Sequence, residues 1–302
     1  MTAGSQRTLN DPGITVVAVH AHPDDETLAT GLALAHHALA GSNVHVITAT
    51  LGEEGEVIPP ELAHMEGSED LGPYRKGELA SAMATLGVHH EYLGQRVAAG
   101  LVSGGVAVPQ WRDSGMVGSP ASKHPRAFAA ADLDEAAQVL AQRLHEIDSD
   151  VVLTYDPQGG YGHPDHIKTH QVTVAALRLL DRAIRPTMYA VATPLSWAVE
   201  DREWLRDNVP TKTGLSVPGD DEPYPPSVAP DDQVTHYIVD EAAQRLKVDA
   251  LRHHLTQVTV YVEASGDNAD PPASADGYFA LSNNIAARLR GREGYRQWNL
   301  ND

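Results

Sequence analysis

Residues 14–21 read ITVVAVHA, an almost unbroken run of β-branched and small apolar residues. A short continuous run of this kind predicts a strand covered on both faces, as in a parallel sheet. Ala and Leu then dominate residues 26–40 up to Gly41, which predicts a helix closed by a glycine cap. The alternation repeats, with a strand at 43–51 (NVHVITATL), a helix at 74–86 ended by Gly87, and a short strand at 91–93. Asp132, with Glu135 three residues on, has the capping-box pattern that opens a helix. Residues 150–155 (DVVLTY) return as a strand, 164–180 as a helix and 188–192 as a further strand. Such alternation predicts an α/β fold, a Rossmann-like three-layer sandwich around a mostly parallel sheet, with a loop-rich C-terminal part.

Residues 94–131 are rich in Gly, Pro, Ser and Ala and read as long loops over one end of the sheet. Pro, Gly and Asp crowd residues 208–232, which read as a flexible insertion. A strand near 234–239 and an amphipathic helix at 241–255 follow, and residues 1–12 read as a frayed polar end. No repeat and no linker interrupts the pattern, so residues 1–302 are expected to form one domain.

Composition narrows the function. Forty-one acidic residues against 22 basic ones give a net charge of −19, which repels phosphate backbones and anionic lipid. Neither nucleic acid nor a membrane surface is an expected partner. Cysteine is absent, which removes disulfides, thiolate nucleophiles and thiolate metal sites. Sixteen histidines leave nitrogen and oxygen as the donors for any metal. The first residues lack the apolar core of a secretion signal and no apolar run spans a bilayer, so a cytoplasmic enzyme is expected.

Two motifs carry chemistry. His22-Pro23-Asp24-Asp25-Glu26 falls where the first strand hands over to the first helix, the edge at which ligands bind in open α/β sheets. His22 and Asp25, three apart across a turn, can reach one ion, and Asp24 is left to act as a base. Tyr161-Gly162-His163-Pro164-Asp165-His166 occupies an equivalent junction after a glycine-rich loop. Two histidines and a carboxylate, with a position open to water, form a recurring catalytic zinc set. Taken alone, a histidine at a strand end is most often structural, and Asp-Asp before a helix is often only a cap. Their recurrence at two matching junctions favours a metal site. His166 and His170 also have the i, i+4 spacing of helical zinc ligands. His20, His36, His37, His89 and His90 read as packing or surface residues, and His253-His254 as a favourable charge at a helix end. No Gly-x-Gly-x-x-Gly, Gly-x-Ser-x-Gly or Walker motif is present.

These residues resemble the LmbE-like, or PIG-L-like, N-acetylglucosaminyl deacetylases, and most closely the branch acting in mycothiol biosynthesis. The likeness extends to residues 51–58 (LGEEGEVI), 74–79 (YRKGEL), 111–116 (WRDSGM), 154–157 (TYDP), 256–258 (TQV) and 281–284 (LSNN). It implies zinc-dependent hydrolysis of the N-acetyl group of N-acetylglucosaminyl-inositol to glucosaminyl-inositol and acetate. It further implies His22, Asp25 and His166 as ligands of one zinc ion, with iron(II) an alternative in the cell, and Asp24 as general base. His163 would be the electrostatic partner or general acid, Tyr161 would polarise the carbonyl, and Asp165 would tune His163. Glu56, Arg75, Asp113 and Met116 match positions that hold the sugar and inositol. By this resemblance His170 is not a ligand. The competing activities are a mycothiol S-conjugate amidase, another N-acetyl-sugar deacetylase and, more remotely, a catalytically silent sugar-binding protein.

Overall fold

The computed structural model describes residues 7–97, 107–262 and 276–300; residues 1–6 of the polar end and 98–106 of the long loops lie outside them. The first apolar run becomes β1 (Thr15–His20), buried along nearly its whole length. Val16 and Ala18 enter one hydrophobic cluster, Val17 and Val19 the other. With both faces covered, no polar alternation is left in the sequence of the strand. The first cluster packs under α1 (Asp25–Leu39) and α2 (Leu71–Leu86), the second under α3 (Leu133–Ile147) and α4 (Pro164–Leu179).

β1 pairs in parallel with β2 (Asn43–Thr48), and β2 with β3 (His89–Tyr92). On its other side β1 pairs in parallel with β4 (Val151–Thr154), which pairs with β5 (Thr187–Val191). The sequence therefore anticipates the α/β class and these five parallel strands of the large sheet. Beyond β5, α5 (Leu195–Asn208), β6 (His236–Val239) and α6 (Glu241–Leu251) precede a small antiparallel sheet of β7 (Thr259–Tyr261), β8 (Gly277–Ala280) and β9 (Ala286–Leu289). The last strand, β10 (Arg292–Gln297), pairs antiparallel with both β5 and β6, so the large sheet runs β6-β10-β5-β4-β1-β2-β3. Strand order reverses between β1 and β4, which opens a crevice beyond their carboxyl ends. Both motifs lie there.

The sequence reading lacks α5, β10 and the small sheet. β10 reads REGYRQ, a polar string, yet Glu293 is buried and accepts from Lys247 Nζ at 2.7 Å, from the Leu32 and Ala33 N–H groups at 2.9 and 3.0 Å, and from Tyr295 Oη at 2.6 Å. A strand whose buried face is held by an ion pair shows no hydrophobic periodicity. In α5, Arg202 is likewise buried; its guanidinium donates to the carbonyls of Gly219, Glu222 and Pro223 and lies 3.6 Å from the centre of the Tyr224 ring. These contacts, with the pairing of Thr193–Pro194 to Val228–Ala229, tie down the proline-rich segment 208–232. Among the described residues no helix is long and apolar enough to cross a membrane.

Candidate metal centre and active site

The loop leaving β1 turns sharply at Asp24, whose φ of 119° is rare for a residue with a side chain. This turn sends the Asp24 and Asp25 carboxylates to different partners at the positive end of α1. Asp25 Oδ2 accepts the His22 N–H at 2.9 Å and lies 3.2 Å from His22 Nδ1 and 3.3 Å from His166 Nε2. The two ring nitrogens are themselves 3.2 Å apart.

Hydrogen bonding behind the rings shows what those atoms are. His166 Nδ1 faces the Gly159 carbonyl at 3.1 Å, which can only accept, so Nδ1 carries the proton and Nε2 presents a lone pair. A Cβ at Gly159 would lie 2.6 Å from His166 Cβ, so only glycine lets this loop close over the ring. His22 Nε2 faces Asp165 Oδ2 at 3.3 Å and Asp113 Oδ1 at 3.4 Å, so it too donates backwards and turns the Nδ1 lone pair inward. Two lone pairs and one carboxylate oxygen thus converge with no hydrogen among them, an arrangement that repels unless a cation or proton joins it. Tetrahedral zinc with ligands at about 2.0–2.2 Å needs donor atoms about 3.3–3.6 Å apart. The triangle of His22, Asp25 and His166 fits a metal ion. His163 also brings a ring nitrogen into this group, within 4.8 Å of ring atoms of His22 and His166.

The electrostatics agree. Burial opposes charge on His22, but Asp113, Asp165 and Asp25 raise its pKa well above the usual value, so the centre favours one positive charge. Burial likewise opposes ionisation of Asp25, yet His166 and His22 hold its pKa well below the carboxylate range. Burial pushes Asp24 up to about 7, only partly offset by Arg75, whose Nη2 donates to Asp24 Oδ2 at 3.1 Å. His163 is driven down to about 3 by burial and by the neighbouring His22 and His166, so it is neutral. Its Nδ1 accepts the Asp165 N–H at 3.2 Å, capping α4, which leaves an Nε2–H donor on the other side of the ring. Loss of water around the phenol and the carboxylate of Asp25 raise the Tyr161 pKa, so the phenol keeps its proton although the residue is 57% exposed; its ring lies 5.0 Å from that of His166.

The structure thus gathers His22, Asp24, Asp25, His163, Asp165, His166, Asp113, Arg75 and Tyr161. The Asp165 carboxylate meets His22 and the Ser114 N–H, while its backbone N–H donates to His163 Nδ1 and its charge acts on the His163 ring from close by. Arg75 is buried and committed, with Nη1 on the Gly52 carbonyl at 2.6 Å and Nη2 on the Pro23 carbonyl at 2.5 Å. Glu56 and Met116 are exposed on loops. His170 points away, its Nδ1 on the Tyr155 carbonyl at 2.8 Å.

Two residues gain roles that the sequence reading did not give them. Tyr155, the last residue before the loop, stacks on His166 at 4.2 Å between ring centres, and its hydroxyl oxygen accepts the Ala21 N–H at 2.9 Å. His254 corrects the expectation of a charge at a helix end. It is fully buried, 3.2 Å from Glu26 Oε1, a long-range pairing that sequence spacing does not reveal. Burial opposes charge on both partners, yet the pairing raises the His254 pKa and lowers that of Glu26.

The family model described as PIG-L: GlcNAc-PI de-N-acetylase matches residues 17–177, and the chain belongs to that family. It is 41% identical, over 95% of its length and 91% of the relative's, to a Thermomonospora curvata protein named 1D-myo-inositol 2-acetamido-2-deoxy-alpha-D-glucopyranoside deacetylase. A protein of the same name from Acidothermus cellulolyticus is 43% identical over 93% of this chain and 87% of that one. Among solved structures it is similar to the A40926 pseudoaglycone deacetylase Dbv21, at 20% identity and a TM-score of 0.49, covering 82% of this chain and 83% of that one.

Proposed function

We propose that the chain is a metal-dependent deacetylase that hydrolyses the N-acetyl group of 1D-myo-inositol 2-acetamido-2-deoxy-α-D-glucopyranoside, releasing acetate and the free amine. The observation that carries the reading is the inward-facing triangle of His22, Asp25 and His166 with Asp24 beside it. The substrate comes from the names of relatives that match nearly the whole chain. His22 Nδ1, Asp25 Oδ2 and His166 Nε2 would hold one zinc ion. Such an ion, when bound, acidifies water and polarises a carbonyl.

The chain's own groups do the remaining work. Asp24, with its pKa near neutrality, takes a proton from the attacking water and later returns it to the departing nitrogen. Arg75 holds that carboxylate in place. The neutral Nε2–H of His163 and the phenol of Tyr161 donate to the carbonyl oxygen as negative charge develops on it, so His163 serves as an electrostatic partner. Asp113 and Asp165 fix the His22 ring from behind. Glu56 and Met116, on exposed loops, together with Asp113, would meet the sugar and inositol hydroxyls. Proton and atom balance close with one water consumed per acetyl group.

Release of free amine tests the proposal, measured on this substrate, on a mycothiol S-conjugate and on other N-acetylated sugars. Chelator-sensitive turnover of the first substrate is expected. Preference for the conjugate would make the chain an amidase, and silence on all of them would overturn the deacetylase reading.

A further inference from the structure

The turn after α6 carries His254, Thr256 and Gln257, which the chemistry above does not use. His254 Nε2 lies 3.2 Å from Glu26 Oε1 and 3.2 Å from Thr27 Oγ1. The Thr27 hydroxyl gives its own hydrogen to Glu26 Oε1 at 2.6 Å, so both atoms facing His254 are acceptors and Nε2 is the donor. The other oxygen of Glu26 accepts the backbone N–H of Asp24 at 3.1 Å. Asp24 is therefore gripped twice, its peptide by Glu26 and its carboxylate by Arg75, at the residue whose φ is 119°.

The turn itself is fixed. Thr256 donates its N–H and hydroxyl to the two oxygens of Glu78 on α2, at 2.8 and 2.7 Å. Its carbonyl accepts the Ile58 N–H at 3.0 Å, and Gln257 Nε2 donates to the Glu56 carbonyl at 2.8 Å. A fully buried His–Glu pair carries a desolvation penalty that an apolar pair of equal volume would avoid. An apolar pair could not accept the N–H of Asp24.

We propose that His254 is a positioning residue: by donating to Glu26 it holds the carboxylate that anchors the Asp24 peptide, and so keeps the base in its strained, site-directed conformation. The claim rests on Asp24 being the base, as proposed above. It predicts a loss in turnover rather than in substrate or metal binding, since misplacing a catalytic group by about 1 Å can cost about 100-fold.

The test compares His254→Leu, His254→Gln and, as a neighbour outside the network, His253→Gln in the zinc-loaded protein. Four quantities are read: kcat, KM, zinc affinity and amide hydrogen exchange in the peptide containing Asp24. His254→Leu should lower kcat about 100-fold, keep KM and zinc affinity within about threefold, and speed exchange at Asp24. His254→Gln, which can still donate to Glu26, should recover most of kcat, and His253→Gln should match wild type. If His254→Leu does not fold, His254→Asn, too short to reach Glu26, replaces it. Unchanged kcat and exchange in the Leu or Asn variant would overturn the proposal, as would a Gln variant no better than Leu, or loss of zinc in parallel with kcat. A wild-type protein silent on every N-acetylated sugar would sink the deacetylase reading instead, and the exchange rates would still decide the positioning claim.

Discussion

His22 Nδ1 and His166 Nε2 stand 3.2 Å apart, each turned inward by an acceptor behind its ring, with one oxygen of Asp25 against both. Removing a vertex should therefore abolish tight zinc binding. Asp25→Ala and His166→Ala are expected to bind no stoichiometric zinc in a competition titration. Asp113→Asn, which removes a charge behind His22, should lose about 10–100-fold in affinity or activity.

Asp24→Asn should separate chemistry from binding. Turnover is expected to fall by about 10²–10⁴-fold with zinc content unchanged. The base must be ionised, so activity rises with pH through the pKa of Asp24, which burial raises to about 7 in the cation-free site. A bound cation favours the carboxylate and moves the acidic limb of kcat/KM below that value. A pH–rate profile that shows no such limb in wild type would contradict the assignment.

Much of this was legible in the sequence, for physical reasons that also explain what was hidden. β1 and β4 are sandwiched between helices, so burial writes itself as unbroken apolar runs. His22, Asp25, His163 and His166 lie in two short motifs at strand ends, where local spacing and sheet topology together imply convergence. The contact of the Asp165 carboxylate with His22 was not legible, because it joins two motifs 143 positions apart. His254 and Glu293 were not legible either. Each pairs with a residue more than 200 positions away or across an ion pair that makes a buried element look polar.

The Lys247–Glu293 pair makes a separate claim about stability. Both side chains are buried, and Lys247 also donates to the Leu28 carbonyl at 2.9 Å. Lys247→Met leaves the Glu293 charge uncompensated and should cost about 3–5 kcal/mol in urea unfolding. The double variant with Glu293→Gln should recover part of that loss.

His37 links stability to pH. It is buried in α1, and burial, with His36 adjacent, lowers its pKa from 6.5 to about 4. The unfolded chain takes up the proton first, so its contribution is complete above pH 6.5 and is lost as pH falls from 6.5 towards 4. By pH 4 the loss is about 3 kcal/mol. Urea midpoints for wild type and His37→Gln should therefore draw together as pH falls through this window. Parallel midpoints would show that His37 does not titrate in it.

The central claim is that one metal ion held by His22, Asp25 and His166 enables amide hydrolysis. Its most direct test is the rate of amine release from the inositol-linked N-acetylglucosamine as zinc is titrated into chelator-stripped protein. Amine release should be negligible at the start and rise linearly to a break at one equivalent per chain. Full activity in the stripped protein, or none at one equivalent of bound zinc, would contradict the claim.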